Sequence, residues 1–189
     1  MDTLIDKTIL DEVYSHLTAR DETIAVSESV TAGLLQASLA SAKGATGFFH
    51  GGITTYNIGQ KARHLGINAI HAAQCNSVSA QIAEQMALQV SILFVSDWGI
   101  GVTGYATPVP ESRNKLYCHY AICFRGKLLA SKEMTSVHTE PFNVQIAYIN
   151  GILKQLIYCL KRREKISAKK KPQLKNESKA KKPRKDGAA

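Results

Sequence analysis

The sequence has no apolar run of the roughly 18–20 residues that a bilayer-spanning helix needs. Its N-terminus, MDTLIDKTIL, lacks the basic-then-apolar order of a signal peptide. The four cysteines, Cys75, Cys118, Cys123 and Cys159, form no CxxC pair, and none has a histidine at zinc-ligand spacing. Buried thiols are therefore expected rather than a disulfide framework. No HExxH or paired carboxylate–histidine spacing occurs, which argues against a metal centre. GxxxxGK[ST] and GxGxxG are missing, and G-A-T-G at Gly44–Gly47 is too short to stand for a phosphate loop. GxSxG is missing as well, which excludes a standard α/β-hydrolase. These absences leave a reduced, cytoplasmic, soluble protein without a membrane partner as the expectation.

What is present is a single-domain complement of apolar residues with an uneven charge. The chain has 189 residues, 44% of them hydrophobic, enough to bury a proper core. Its formal charge of +9 suggests a nucleic-acid binder until the chain is divided at Leu160. Residues 161–189 hold 13 basic and 3 acidic side chains, a net of +10, whereas residues 1–160 hold 11 and 12, a net of −1. The segment beyond about Ile166 is Lys/Pro/Ser/Ala-rich with few large apolar residues and is expected to be disordered. The expected division is a domain over 1–163 and a basic tail over 164–189, able to meet polyanions through weak, nonspecific contacts.

Along the domain, apolar periodicity places a first helix to about Ala19, capped by Asp2 or Thr3. A buried strand follows at Thr23–Ser27, then a helix over Thr31–Ser41. Phe48–Tyr56 reads as a strand whose paired glycines suggest a bulge or close backbone approach. Helices are expected over Asn57–Leu65 and Ser77–Leu93, and a buried strand over Trp98–Thr103. Lys115–Phe124 and Lys127–Thr135 form a hairpin about Arg125-Gly126. Thr139-Glu140-Pro141 opens a last helix that runs to about Arg163. Strands alternating with helices, then a hairpin and a helix, give an α/β class: a three-layer α/β/α domain with a mixed β-sheet.

Two constellations could carry chemistry. Ser27-Glu28-Ser29-Val30-Thr31-Ala32-Gly33 lies at a strand-to-helix junction, where unpaired backbone N–H groups can hold an oxyanion, phosphate or carboxylate. Ser29 there can be a nucleophile, or the hydroxyls can be ordinary helix caps; the local pattern allows both. In Thr54-Thr55-Tyr56-Asn57-Ile58-Gly59-Gln60-Lys61, a lysine of lowered pKa can take a proton from a serine hydroxyl, and the phenol can relay or position it. An exposed Lys61 would merely solvate a helix face. The Tyr-x4-Lys spacing differs from the Tyr-x3-Lys of short-chain dehydrogenases.

Taken in order, these segments resemble the CinA C-terminal domain family, the nicotinamide-mononucleotide deamidases of NAD recycling. The family's E-S-C-T-G-G reads as Glu28-Ser29-Val30-Thr31-Ala32-Gly33, and its F-x-x-G-x-x-T-Y-x4-K as Phe49, Gly52, Thr55, Tyr56 and Lys61. Its A-V-S resembles Ser77-Val78-Ser79, and its [ST]-G-x-A-x-P reads Thr103-Gly104-Tyr105-Ala106-Thr107-Pro108. The resemblance spans roughly Leu4 to Leu160. It implies a serine amidohydrolase that deamidates nicotinamide mononucleotide or a related pyridine amide to the acid plus ammonia. Ser29 would be nucleophile, Lys61 general base and Tyr56 a relay or orienting group. Glu28, Thr31, Gly33, Thr46, Thr103 and Gly104 would bind substrate. No metal or organic cofactor is implied. The domain would associate as a homodimer, without the separate N-terminal domain of longer relatives.

The departures concentrate in the substrate pocket. Val30 stands for a cysteine and Ala32 for a glycine. The glycine-rich loop after the Thr-Gly-x-Ala-x-Pro turn is replaced by Val109–Asn114. The family's G-D-R and a following arginine correspond to about His138-Thr139-Glu140 and Val144, which removes cations that would clamp a phosphate. Arg113 and Arg125 are the candidates to replace them. The alternative reading is a catalytically inactive relative that binds a ligand or partner in the same cleft, with the basic tail contacting nucleic acid or another polyanion.

Overall fold

The computed structural model describes residues 5–180, and side-chain surroundings for residues 5–165. Helix α1 (Lys7–Thr18) begins behind Asp6, whose carboxylate accepts from the Thr8 N–H, and buries Ile9, Leu10, Val13 and Leu17. Asp6 is thus the cap; Asp2 and Thr3 lie outside the described residues. Strand β1 (Ile24–Glu28) is wholly buried and leads through a turn into α2 (Leu34–Ala40). That helix starts three residues later than expected because Ala32 and Gly33 adopt left-handed backbone, with φ of 52° and 98°. Strand β2 (Phe49–Thr54) follows, then α3 (Ile58–Leu65), α4 (Ala69–Gln74) and α5 (Ala80–Leu93). Helix α4, six residues long, is too short to show a readable apolar period and is absent from the expected elements. Strands β3 (Trp98–Gly104), β4 (Tyr117–Phe124) and β5 (Lys127–Thr135) precede α6 (Pro141–Ala180).

The five strands form one mixed sheet in the order β2-β1-β3-β4-β5. β1 runs parallel to both β2 and β3, while β3, β4 and β5 pair antiparallel. The β4–β5 turn is Arg125-Gly126 as expected, both residues at positive φ, the conformation that suits a tight hairpin. The paired glycines of β2 coincide with a register shift against β1. Helices α1, α2 and α6 cover one face of the sheet and α3, α4 and α5 the other. The α/β/α layering expected from the pattern is the one observed. No described helix is long and apolar enough to cross a membrane.

Strand alternation divides the core. Ile24, Val26, Trp98, Ile100 and Val102 point into the larger cluster beneath α1, α2 and α6. The opposite face of β3 carries Gly99 and Gly101, and α5 meets the sheet there through Ala83 and Ala87. Helix backbone packs almost directly on strand backbone. A methyl group at Gly101 would overlap the Ala83 carbonyl and the Ala87 amide nitrogen.

Helix α6 is longer than its apolar pattern predicts. It does not end near Arg163 but continues to Ala180. The segment lacks core-forming apolar residues; its Lys, Glu, Gln and Ala are good helix formers, and the helix runs on through Pro172, which has no N–H to donate. Its first charged turn also belongs to the domain. Arg163 donates to Glu22 Oε1 (2.9 Å), and its guanidinium lies 3.2 Å from the Phe124 ring centroid. Glu22 Oε2 in turn accepts from Trp98 Nε1 (2.9 Å), and Glu164 accepts from Arg20 (2.9 Å). Residues 181–189 of the expected tail lie outside the described residues.

Because α5 and β3 touch through backbone, Gly101→Ala is expected to destabilise the fold by about 2–3 kcal/mol, in the range of core overpacking. Urea unfolding would measure this. A loss below ~0.5 kcal/mol would contradict the packing described.

Candidate active site

The site begins with a buried carboxylate. Glu28 ends β1 with no solvent exposure and turns its side chain under the start of α2. Its Oε2 accepts from the Thr31 hydroxyl (2.5 Å) and from the N–H groups of Gly33 (3.2 Å) and Leu35 (3.0 Å). Its Oε1 accepts from the Gln36 N–H (2.8 Å). Donors that a helix start normally leaves open are thus satisfied from within the chain. The anion-holding helix terminus considered from the sequence is occupied by the protein's own carboxylate.

Ser29 projects from the bracket that this capping fixes. Its N–H donates to the Val102 carbonyl (3.0 Å), tying it to the neighbouring strand. Lys61 reaches it from α3, whose first turn is capped by the Asn57 side chain on the Gln60 N–H. Lys61 Nζ donates to Ser29 Oγ (2.9 Å) and to the Thr55 carbonyl (2.8 Å). Lys61 is only 1% exposed and Ser29 only 7%. Burial pushes the Lys61 pKa from 10.5 down to about 8, because the charged form loses its hydration. A largely desolvated amine against a serine hydroxyl is a nucleophile with a built-in proton acceptor.

The pair opens into a cavity of about 600 Å³ at the carboxyl ends of β1, β2 and β3. Strands β2 and β3 leave β1 on opposite sides, the crevice where open α/β sheets commonly bind ligands. Ser29 and Lys61 form its floor with Thr103 and Gly104 of β3, and Pro141 and Gln145 of α6 reach the same space. Thr103 Oγ1 donates to the Ser77 carbonyl (2.7 Å), holding a segment in which Asn76 and Ser77 both have positive φ.

The structure brings together some of the expected residues and not others. Ser29, Tyr56, Lys61, Thr103 and Gly104 all line the cavity. Tyr56 is 71% exposed and hydrogen-bonds to neither Ser29 nor Lys61, so the Thr55 carbonyl, not the phenol, orients the amine. Glu28, Thr31 and Gly33 do not line the cavity; their polar groups are joined to one another beneath it. Thr46 stands in the turn Ala45–Gly47 before β2, at the opposite end of that strand. Arg125 pairs with Asp97 (2.7 Å) at the start of β3, also away from the cavity, while Arg113 lines a separate recess. Val144, at the position of a family arginine, is fully buried in the core. Sequence reasoning missed Asn76, Glu111 and Gln145, which line the cavity from loops and α6. Only the loop substitution over Val109–Asn114 marked Glu111 out. No group of three or more potential metal-ligating side chains occurs among the described residues.

Comparison with known proteins agrees with this architecture. The CinA C-terminal domain model matches residues 6–158, most of the chain. A protein of Streptococcus equi subsp. zooepidemicus (strain H70) named as competence-damage inducible is 45% identical over 103 residues, 54% of this chain and 24% of its own length. A CinA-like protein of Rippkaea orientalis is 41% identical over 103 residues, 54% of this chain and 25% of its own. The chain therefore matches about a quarter of the length of these curated relatives. A crystal structure of a CinA superfamily protein from Klebsiella pneumoniae 700603 superposes with a TM-score of 0.78 at 23% identity. The superposition covers 82% of this chain and 98% of the other.

The lowered Lys61 pKa carries a stability consequence. Between about pH 8 and 10.5 the unfolded chain holds the Lys61 proton and the folded chain does not, so this group's contribution rises with pH across that window. Below pH 8 its full penalty, about 3 kcal/mol, opposes folding. Lys61→Met should therefore be more stable than the parent at pH 7, by about 1–3 kcal/mol in urea unfolding, with the gap narrowing toward pH 10. A less stable variant at pH 7 would refute the desolvation described.

Proposed function

Because the chain belongs to the CinA C-terminal domain family, we propose that it is a metal-independent serine amidohydrolase acting on a pyridine amide, nicotinamide mononucleotide or a related compound. The observation that carries this reading is the 2.9 Å contact between the buried Lys61 amine and Ser29 Oγ. In the proposed reaction neutral Lys61 takes the Ser29 proton as Oγ attacks the amide carbon. The resulting ammonium gives that proton to the leaving nitrogen, the C–N bond breaks and ammonia departs. Water, deprotonated by the same amine, then cleaves the acyl ester and restores Ser29. The Val30 N–H follows the nucleophile and has no acceptor among the described residues; we assign it to the developing oxyanion.

The test is ammonia release by the purified chain. Ser29→Ala and Lys61→Ala should each lower kcat on the order of 10³-fold. The parent kcat/KM should rise with one proton's steepness and level off above about pH 8, since only the neutral amine accepts a proton. No ammonia from any pyridine amide, with ligand binding unchanged in both variants, would leave a non-catalytic binding protein as the reading.

We also propose that the basic C-terminal segment contacts polyanions. Lys161 and Arg163 are paired with Glu12 and Glu22, so the contact would rest on cations beyond Lys165. Truncation after Lys165 should abolish a low-salt gel shift with nucleic acid; an equal shift would clear the segment of that role.

A further inference from the structure

The cavity carries two charged side chains among the described residues, Lys61 and Glu111. Lys61 is buried at the cavity floor and already donates to Ser29 and to the Thr55 carbonyl. Glu111 is exposed, in the loop before β4, and leaves the lining with a free carboxylate. Two amides of the uncharged lining present their oxygens, whereas Asn57 spends its oxygen on the Gln60 N–H. The Asn76 amide nitrogen donates to Tyr105 Oη (3.1 Å), and that of Gln145 to the Val30 carbonyl (2.8 Å). The carbonyl oxygens of these amides accept from no group among the described residues. Tyr56, most of its ring exposed, offers an aromatic face at the cavity wall.

Such a lining suits a ligand that brings donors and positive charge. A phosphate monoester needs the reverse, cations or clustered N–H groups, and the N–H groups at the α2 terminus are taken by Glu28. Arg113 and Lys115 line the adjoining recess instead, together with Glu133. His119 of that recess has its pKa lowered by burial, which disfavours a third positive charge there.

We infer that the substrate is an unphosphorylated, cationic amide: an N-substituted pyridinium carboxamide whose substituent is a neutral polyol, such as the riboside of nicotinamide. This rests on the amidohydrolase reading and sharpens it. The carbonyl carbon exchanges its C–N bond for a C–O bond from water, giving the pyridinium carboxylate and ammonia. Glu111 faces the ring cation, Tyr56 supplies a face for it, and the Asn76 and Gln145 oxygens accept from sugar hydroxyls. About 600 Å³ accommodates a nucleoside of this size.

The experiment pairs turnover with binding. Ammonia release by the full chain is compared for nicotinamide riboside, nicotinamide mononucleotide and nicotinamide, and calorimetry on Ser29→Ala measures binding of the same three. The riboside should exceed the mononucleotide by at least about tenfold in both kcat/KM and affinity. Glu111→Gln should shrink that ratio, and Glu111→Arg should reverse it. A parent that prefers the mononucleotide, with Glu111→Gln leaving the ratio unchanged, overturns the inference and leaves the amidohydrolase standing. Riboside-selective binding without ammonia from any compound sinks the catalytic reading and keeps the ligand class. Binding of none of the three overturns it.

Discussion

The site depends on one buried carboxylate. Glu28 lies at the end of the central strand, and the hydroxyl and N–H groups it accepts from span Thr31 to Gln36. A carboxylate without solvent exposure is tolerable only with such partners. In satisfying itself, it fixes the turn that carries Ser29 and closes the helix terminus to outside anions. Left-handed backbone at Ala32 and Gly33 is the geometric condition. The family motif has glycine at both positions, and the alanine here accepts an unfavourable φ to keep the same bracket.

The Ser29–Lys61 pair is built on a second destabilised group. Lys61 is buried without a carboxylate partner and held by a hydroxyl and a carbonyl. Both accept from the amine, and neither offers the full charge that would keep the lysine protonated. The arrangement trades stability for a base usable near neutral pH, and it requires a rigid surround. The sheet supplies one, because α3 and β1 meet through the small buried cluster of Ala25, Leu65, Ile67 and Met86.

Much of this was legible from residue order. Alternation in WGIGVT and period-four spacing in the helices placed the layers, and the succession of four short motifs brought Ser29, Lys61, Thr103 and Gly104 to one cavity. The differences in placement have physical causes. A Glu at a strand-to-helix junction reads the same whether its carboxylate faces a ligand or turns under the helix, so the pattern alone does not separate an outward from an inward Glu28, Thr31 and Gly33. Tyr56 reads as a relay from its neighbours in the chain; strand-end geometry directs the Thr55 carbonyl at the amine and leaves the phenol at the cavity wall. The end of α6 was set by where apolar burial stops. The stacking of Arg163 on Phe124 holds the next turn to the domain, and the helix continues to Ala180 through Pro172.

Charge in this molecule is sorted by task. The formal excess of +9 arises beyond Leu160, while the body is nearly neutral and its cavity holds one buried amine against one exposed carboxylate. A long-range field from the C-terminal segment cannot substitute for a bidentate cation in the cavity, because screening limits exposed charges to about 8–10 Å. Specificity must therefore come from groups on the cavity wall. There Glu28 has taken the N–H groups at the start of α2, and the Asn76 and Gln145 carbonyl oxygens accept from no group among the described residues. The same capping that builds the Ser29 turn thus takes the helix-terminal N–H groups that could hold a phosphate, so the turn and the reception of an anion there are set by one local arrangement of hydrogen bonds.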